Sequence, residues 1–280
     1  MILIADSGSS KTDWRVINPN GDIHQFRTFG FNPYYQTKGE MQVEMDQPEL
    51  RELKGKIEEV YFYGAGCSTH ENKSMVSEAI QIVLGKVPVH VDHDLMAAAR
   101  ATCGHKPGIT CILGTGSNSC DYDGQQITDS KPSPGFILGD EGGGCHVGRK
   151  LLVDFIHDEM PAEIRKDLVK SYGVTNEIIQ ENVYKKPFPN RYMASFCKFI
   201  SDHKSHPYCY QLFQSSFEEF FKKTVMKYPD YKSKPVNFVG SIAFHNSDIL
   251  RATASKLGLQ VHLILETPIA GLTLYHQEKI

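Results

Sequence analysis

A chain of 280 residues with 40% hydrophobic and 22% charged side chains has the composition of a soluble globular protein, long enough for two domains or one large one. Its net charge of −3 offers no basic surface for nucleic acid, and no apolar run reaches membrane-spanning length. Seven scattered cysteines without a C-x-x-C pair, and an apolar start (Met1–Ala5) too short for a secretory signal, point to a reduced, cytoplasmic setting.

In chain order, Met1–Ala5 reads as a buried strand ending at Asp6. The small residues Ser7, Gly8, Ser9 and Ser10 form a tight turn, and Lys11–Ile17 a second strand that stops at Asn18-Pro19-Asn20-Gly21. Small residues let successive backbone N–H groups close around an anion, with Lys11 and the hydroxyls as further donors. A Walker loop is excluded because its first glycine spacing is missing and a strand follows, and a dinucleotide fingerprint because its glycines need a helix after them. Ile23–Phe29 reads as a third strand, residues 30–34 as a loop, Glu49–Lys56 as a polar helix and Glu59–Tyr63 as a strand. Residues 73–84 place Met75, Val76, Ala79, Ile80, Val83 and Leu84 on one helical face, with Gly85 as stop. Val87–Val91 is a strand, and Asp92-His93-Asp94 caps a helix over 95–103.

The opening pattern then recurs. Thr110–Leu113 is an apolar strand, Gly114-Thr115-Gly116-Ser117-Asn118 a small, hydroxyl-bearing turn, residues 119–122 a strand, Asp123-Gly124 a turn and residues 125–128 the return. A supersecondary unit that occurs twice implies two similar domains facing each other. Beyond it, Asp140-Glu141 lies among glycines at the entrance to a helix over 145–158, and a helix N-terminus suits close approach of a ligand. Further helices are expected over 161–172, 176–184, 191–203, 208–228, 248–257 and 268–276, with strands over 236–239 and 260–265. The row Phe213, Phe217, Phe220 and Phe221 reads as core. His90/His93 and His203/His206 have H-x-x-H spacing but sit at a strand end and in a loop, where they do not converge on a metal.

Two anion turns would clamp the phosphates of a nucleotide, and phosphoryl transfer asks beyond this for a metal and a carboxylate that orients the attacking hydroxyl. Asp6, at a strand end beside the first turn, suits a Mg²⁺ neighbour acting through water. Asp94, at a helix start after an apolar strand, points toward a site or serves as N-cap, and Asp92 competes for either task.

Four segments occur in order: Asp6-Ser-Gly-Ser-Ser-Lys-Thr-Asp13, Leu113-Gly-Thr-Gly-Ser-Asn118, Leu138-Gly-Asp-Glu-Gly142 and Val239-Gly-Ser-Ile-Ala243. Together they resemble the sugar kinase, hsc70 and actin superfamily, and within it the N-acetylglucosamine kinase branch, grouped with the ATPases that activate benzoyl-CoA reductase and 2-hydroxyacyl-CoA dehydratase. The resemblance implies an α/β fold of two facing ribonuclease H-like (actin-like ATPase) domains with an interdomain cleft. Their expected extents are 1–108, completed by a C-terminal helix over 266–280, and 109–265. It implies ATP and Mg²⁺ as cofactors, with Gly8, Ser9, Ser10, Lys11 and Thr12 as the first phosphate loop and Gly114, Thr115 and Gly116 as the second. Asp6 lies near the metal, and Asp94 is the catalytic base. Asn32, Ser117, Asn118 and Asp140 contact the sugar, and Gly240-Ser241 the adenosine.

The implied activity is phosphorylation of an amino sugar, N-acetylglucosamine to its 6-phosphate. The alternatives are an activator ATPase, for which Cys120 and Cys145 are the candidate cluster ligands, and a kinase for glucosamine or N-acetylmuramate. The partner is a small amino sugar, with neither nucleic acid nor membrane; a homodimer is left open. Two departures stand out: His93 replaces the Asn that usually precedes the catalytic Asp, and Ser133-Pro134-Gly135-Phe136 replaces Gly-Gly-Trp-Gly, which alters the wall toward the acetamido group.

Overall fold

A computed structural model of the chain describes residues 1–8 and 11–278. It divides into two units, Met1–Lys106 with Thr267–Ile280, and Pro107–Glu266. Each contains one five-stranded mixed sheet, and the two sheets have the same topology.

In the first unit the strands are β1 (Ile2–Ser7), β2 (Lys11–Ile17), β3 (Ile23–Phe29), β4 (Glu59–Gly64) and β5 (Val89–His93). Their order is β3-β2-β1-β4-β5, with antiparallel hairpins on one side and parallel strands on the other. Side chains alternate across a pleated sheet. Leu3, Ala5, Trp14, Val16, Val60 and Phe62 therefore join Met41, Met45, Val76, Ala79 and Ile80 of the helices Lys38–Met45 and His70–Leu84 in one core. The helices Asp94–Cys103 and Ile269–Gln277 pack on β1 and on each other, so the chain's last helix completes its first unit.

The second unit has β6 (Gly108–Leu113), β7 (Ser117–Tyr122), β8 (Ile127–Lys131), β9 (Val236–Val239) and β10 (Val261–Leu265) in the order β10-β9-β6-β7-β8. Again the hairpin pairs are antiparallel and β6-β9-β10 parallel. Phe213, Phe217, Phe220 and Phe221 of the helix Pro207–Lys223 are buried in its core against β9 Phe238.

Two helix expectations need correction, and one helix was not expected. Lys38–Met45, absent from the sequence analysis, begins with a capping box, Thr37 with Glu40. The helix expected over 49–56 spans only Pro48–Arg51, after which i→i+3 turns lead to Gly55. The helix expected over 191–203 is two, Pro189–Ser195 and Cys197–Asp202, broken at Phe196. Among the described residues no helix is long and apolar enough to cross a membrane.

Candidate active site

Ser7 and Thr12 close the first hairpin. Their hydroxyls lie 2.7 Å apart; Phe31 N–H donates to Ser7 Oγ at 3.0 Å, and Thr12 Oγ1 donates to the Phe29 carbonyl at 3.0 Å. Thr12, the last residue of the expected phosphate loop, is fully buried, and its side chain fastens the hairpin to the 29–32 segment. Gly8 is exposed, and its N–H donates to the Lys11 carbonyl. Ser9 and Ser10, expected in the same loop, lie outside the described residues. The Lys11 ammonium stands 3.1 Å from Asp13, which Arg27 also grips at 2.5 Å. Those two hydrogen-bonding cations hold the Asp13 carboxyl below its ordinary range even though burial alone would raise it.

Asp6 pairs with Asp13 across the β1–β2 ladder, and like charges directly opposite repel. Burial, then the nearby charges of Asp13 and Asp94, push Asp6 up to about 7, and Lys11 offsets this only in part. Asp94 begins the helix Asp94–Cys103, and its carboxylate accepts the Leu95 N–H at 2.9 Å. Burial raises its pKa, with His93 and the local N–H groups opposing. The neighbours expected to share its task are occupied elsewhere. His93, not an aspartate, is the N-cap, its Nδ1 accepting the Met96 N–H, and Asp92 pairs with Lys73 at 2.9 Å. Asn32 is buried; its Oδ1 accepts the Tyr34 N–H, and its own N–H donates to Gln36. The first unit thus brings Asp6 and Asp94 together, with the Phe31-Asn32 segment tied to Ser7 beside them.

In the second unit the turn Gly114–Gly116 closes with Gly114 N–H donating to the Gly116 carbonyl. Gly144 and Cys145, the first residues of the helix Gly144–Ile156, donate their N–H groups to the Gly114 and Thr115 carbonyls, each at 2.8 Å. That corrects the expectation of a ligand-ready helix N-terminus: its donors lock the phosphate-loop candidate in place. The Thr115 and Gly116 N–H groups, by contrast, carry no hydrogen bond among the described residues, and Thr115 is exposed. They are the donors left for an anion.

Asp140 is buried with φ +58°, an uncommon conformation for a residue other than glycine. Its carboxylate accepts Ser133 Oγ at 2.7 Å and lies so near Gly116 that a Cβ there would stand 2.6 Å from Oδ2. Gly116 is therefore required for the contact. Ser117 is half-buried, and Asn118 Oδ1 accepts the Ser119 N–H. Ser241 follows Gly240, the N-cap of the short helix Ser241–His245, and lines a cavity of about 590 Å³ with Cys197, Lys198, Ser201, Asp202 and His245.

Sequence reasoning missed Ser133, although it lies only seven residues from Asp140 inside the altered wall segment. It also missed Ser216, His146 and Lys223, which reach the 139–144 loop from the distant helix Pro207–Lys223 or from within the loop's own helix.

No protein-family model and no curated protein sequence matches the chain. Among solved structures, the "Putative N-acetylglucosamine Kinase" of Porphyromonas gingivalis is 40% identical over 99% of both chains, with a TM-score of 0.93. A ROK family glucokinase of Streptomyces griseus, solved with glucose and AMPPNP, has a TM-score of 0.56 at 14% identity over 99% of this chain and 98% of that one. MreB 5 of Spiroplasma citri, bound to AMPPNP, has a TM-score of 0.58 at 10% identity over 99% and 96%. The last two share the fold alone, and none of these likenesses supports the activator-ATPase grouping. The full-length likeness at 40% identity decides the membership: the chain belongs to the N-acetylglucosamine kinase family, on the actin-like ATPase fold.

Proposed function

We propose that the protein is an ATP-dependent kinase that phosphorylates an amino sugar, with N-acetylglucosamine as substrate, its 6-hydroxyl as acceptor and Asp94 as general base. The observation that carries the assignment is the state of Asp94. Of residues 92–94 it is neither the N-cap, which is His93, nor ion-paired, as Asp92 is; one of its carboxylate oxygens accepts the Leu95 N–H, and burial raises its basicity.

The first unit supplies the phosphoryl-transfer carboxylates Asp6 and Asp94, the Gly8 turn and Lys11. Asn32 of that unit is assigned to the sugar; in the second unit the free amides of Thr115 and Gly116 are assigned to phosphate, the cavity at Ser241 to adenosine, and Asp140, Asn118 and Ser117 to the sugar. Among the described residues no cluster of three side chains could cage a metal. A Mg²⁺ that keeps most of its water and takes phosphate oxygens still fits Asp6, an oxygen donor whose raised pKa a cation would relieve. When bound, the ion neutralises charge on the phosphates; Asp94 accepts the proton of the sugar hydroxyl as it attacks, and Asp140 orients the sugar.

The activator-ATPase alternative meets an obstacle in its cysteines. Cys120 and Cys145 are fully buried, and burial pushes the Cys145 thiol up to about 11, whereas a cluster shared between subunits needs accessible thiolates. A coupled ADP-release assay over a panel of hexosamines tests the kinase reading. Turnover that requires the sugar supports it, and sugar-independent ATP hydrolysis refutes it.

A further inference from the structure

The loop Gly139–Gly144 is held from below by a buried polar chain that no phosphate, sugar or metal role accounts for. The Gly142 N–H donates to Ser216 Oγ at 2.9 Å, and Ser216 Oγ lies 2.7 Å from His146 Nδ1. Ser216 is fully buried and His146 nearly so. With its oxygen accepting from Gly142, the serine has its O–H left to donate, and His146 Nδ1 is the acceptor beside it. His146 is then neutral, with its proton on Nε2 and directed toward Glu219 Oε2, 3.8 Å away. Burial agrees, lowering the imidazole to about 4. Glu219 is held by Lys150 at 2.9 Å and Lys223 at 3.2 Å, and Lys223 returns to Glu141 at 2.7 Å. The chain therefore closes on itself. It starts at the main chain of Gly142 and ends at the side chain of Glu141, the residue directly after Asp140.

We propose that Ser216 and His146 are positioning residues of the kinase site: through the Gly142 amide they fix the backbone turn that presents the Asp140 carboxylate to the sugar. Asp140 needs such support. Its left-handed backbone conformation is one that an unconstrained aspartate leaves readily, and such conformations persist only where the surroundings over-determine them. Ser133 fixes the carboxylate end and the Gly143 N–H bonds to the Asp140 carbonyl, but among the described residues the turn's next donor, Gly142, depends on Ser216 alone. Neither Ser216 nor His146 touches the sugar in this scheme; both act through the loop.

The proposal rests on the kinase reading for its catalytic consequence but not for its structural one, and the test separates the two. Ser216→Ala, His146→Ala and His146→Asn are compared with the parent by amide hydrogen exchange of residues 139–144 and by separate KM values for sugar and ATP. Asparagine can place an acceptor where Nδ1 stands, so it is the conservative variant. Ser216→Ala and His146→Ala are expected to speed Gly142 exchange about tenfold or more and to raise the sugar KM about tenfold, the size expected for one lost buried hydrogen bond. The ATP KM stays within about twofold, and His146→Asn restores most of the loss. Faster exchange in the alanine variants of a parent that phosphorylates no sugar would sink the kinase reading while upholding the loop role. Unchanged exchange in Ser216→Ala, or equal losses in sugar and ATP KM with no rescue by asparagine, overturns the proposal.

Discussion

Asp6 and Asp94, the carboxylates proposed for the chemistry, sit in surroundings that work against their charge. A carboxyl with an ordinary value of 3.8 that reaches about 7 in the fold binds a proton more tightly folded than unfolded. Its contribution to stability is thus fully present below pH 3.8 and is lost as pH rises through about 7. Asp6→Asn removes the penalty. The variant is expected to match the parent in thermal melts near pH 4 and to melt several degrees higher at pH 8, while losing kinase activity. A parent as stable as the variant at pH 8 would show that Asp6 is not held in this unfavourable state. Asp94→Asn should lower kcat by about 10²- to 10⁴-fold, the range for a general base, with an unchanged far-UV circular dichroism spectrum. The acid limb of the parent's pH–rate profile should lie above the ordinary aspartate range, because burial raises Asp94 and its base form is lost as pH falls through that raised value. Asp94 was legible as a candidate from its place after a strand and before an alanine-rich helix. Which of residues 92–94 is free was not, because Lys73, which occupies Asp92, lies on another helix.

The hairpins and their glycine turns were legible because everything that makes them is local: an apolar run, small residues and a second run. What the turns do was less legible. The helix at Gly144 looked like an anion site from its sequence, yet its amides are consumed by carbonyls of the Gly114–Gly116 turn thirty residues upstream, a partnership no local pattern encodes. The same holds for Ser216 beneath Gly142. Close helix contacts are likewise hidden in single glycines. In the helix Gly144–Ile156, a Cβ at Gly148 would lie 1.8 Å from the Met193 carbonyl of the helix Pro189–Ser195. Backbone cannot yield as a side-chain tip does, so Gly148→Ala must part the two helices. The expected loss is about 3 kcal/mol, read from urea unfolding. A loss under about 1 kcal/mol would mean that this contact is not the close one described.

At the scale of the molecule, the repeated strand–turn–strand pattern announced a duplicated fold, and both sheets have the same order and the same mixture of antiparallel and parallel pairs. The parallel strands β4, β5, β9 and β10 were individually readable, but their neighbours follow from crossovers that local periodicity does not reveal. Substrate choice is the least legible property. Amino sugars differ by an acetyl or lactyl group, and one wall segment can admit or exclude such a group for a few kcal/mol. The segment expected to form that wall is Ser133–Phe136, and its serine is turned inward to Asp140.

The direct test of the kinase assignment is ADP release by the purified protein with ATP and Mg²⁺ against N-acetylglucosamine, glucosamine, N-acetylmannosamine and N-acetylmuramate, with the product's phosphate position read by NMR. Sugar-dependent turnover is expected, with the highest kcat/KM for N-acetylglucosamine and phosphate on the 6-hydroxyl. ATP turnover indifferent to every sugar, or full activity in Asp94→Asn, would contradict it.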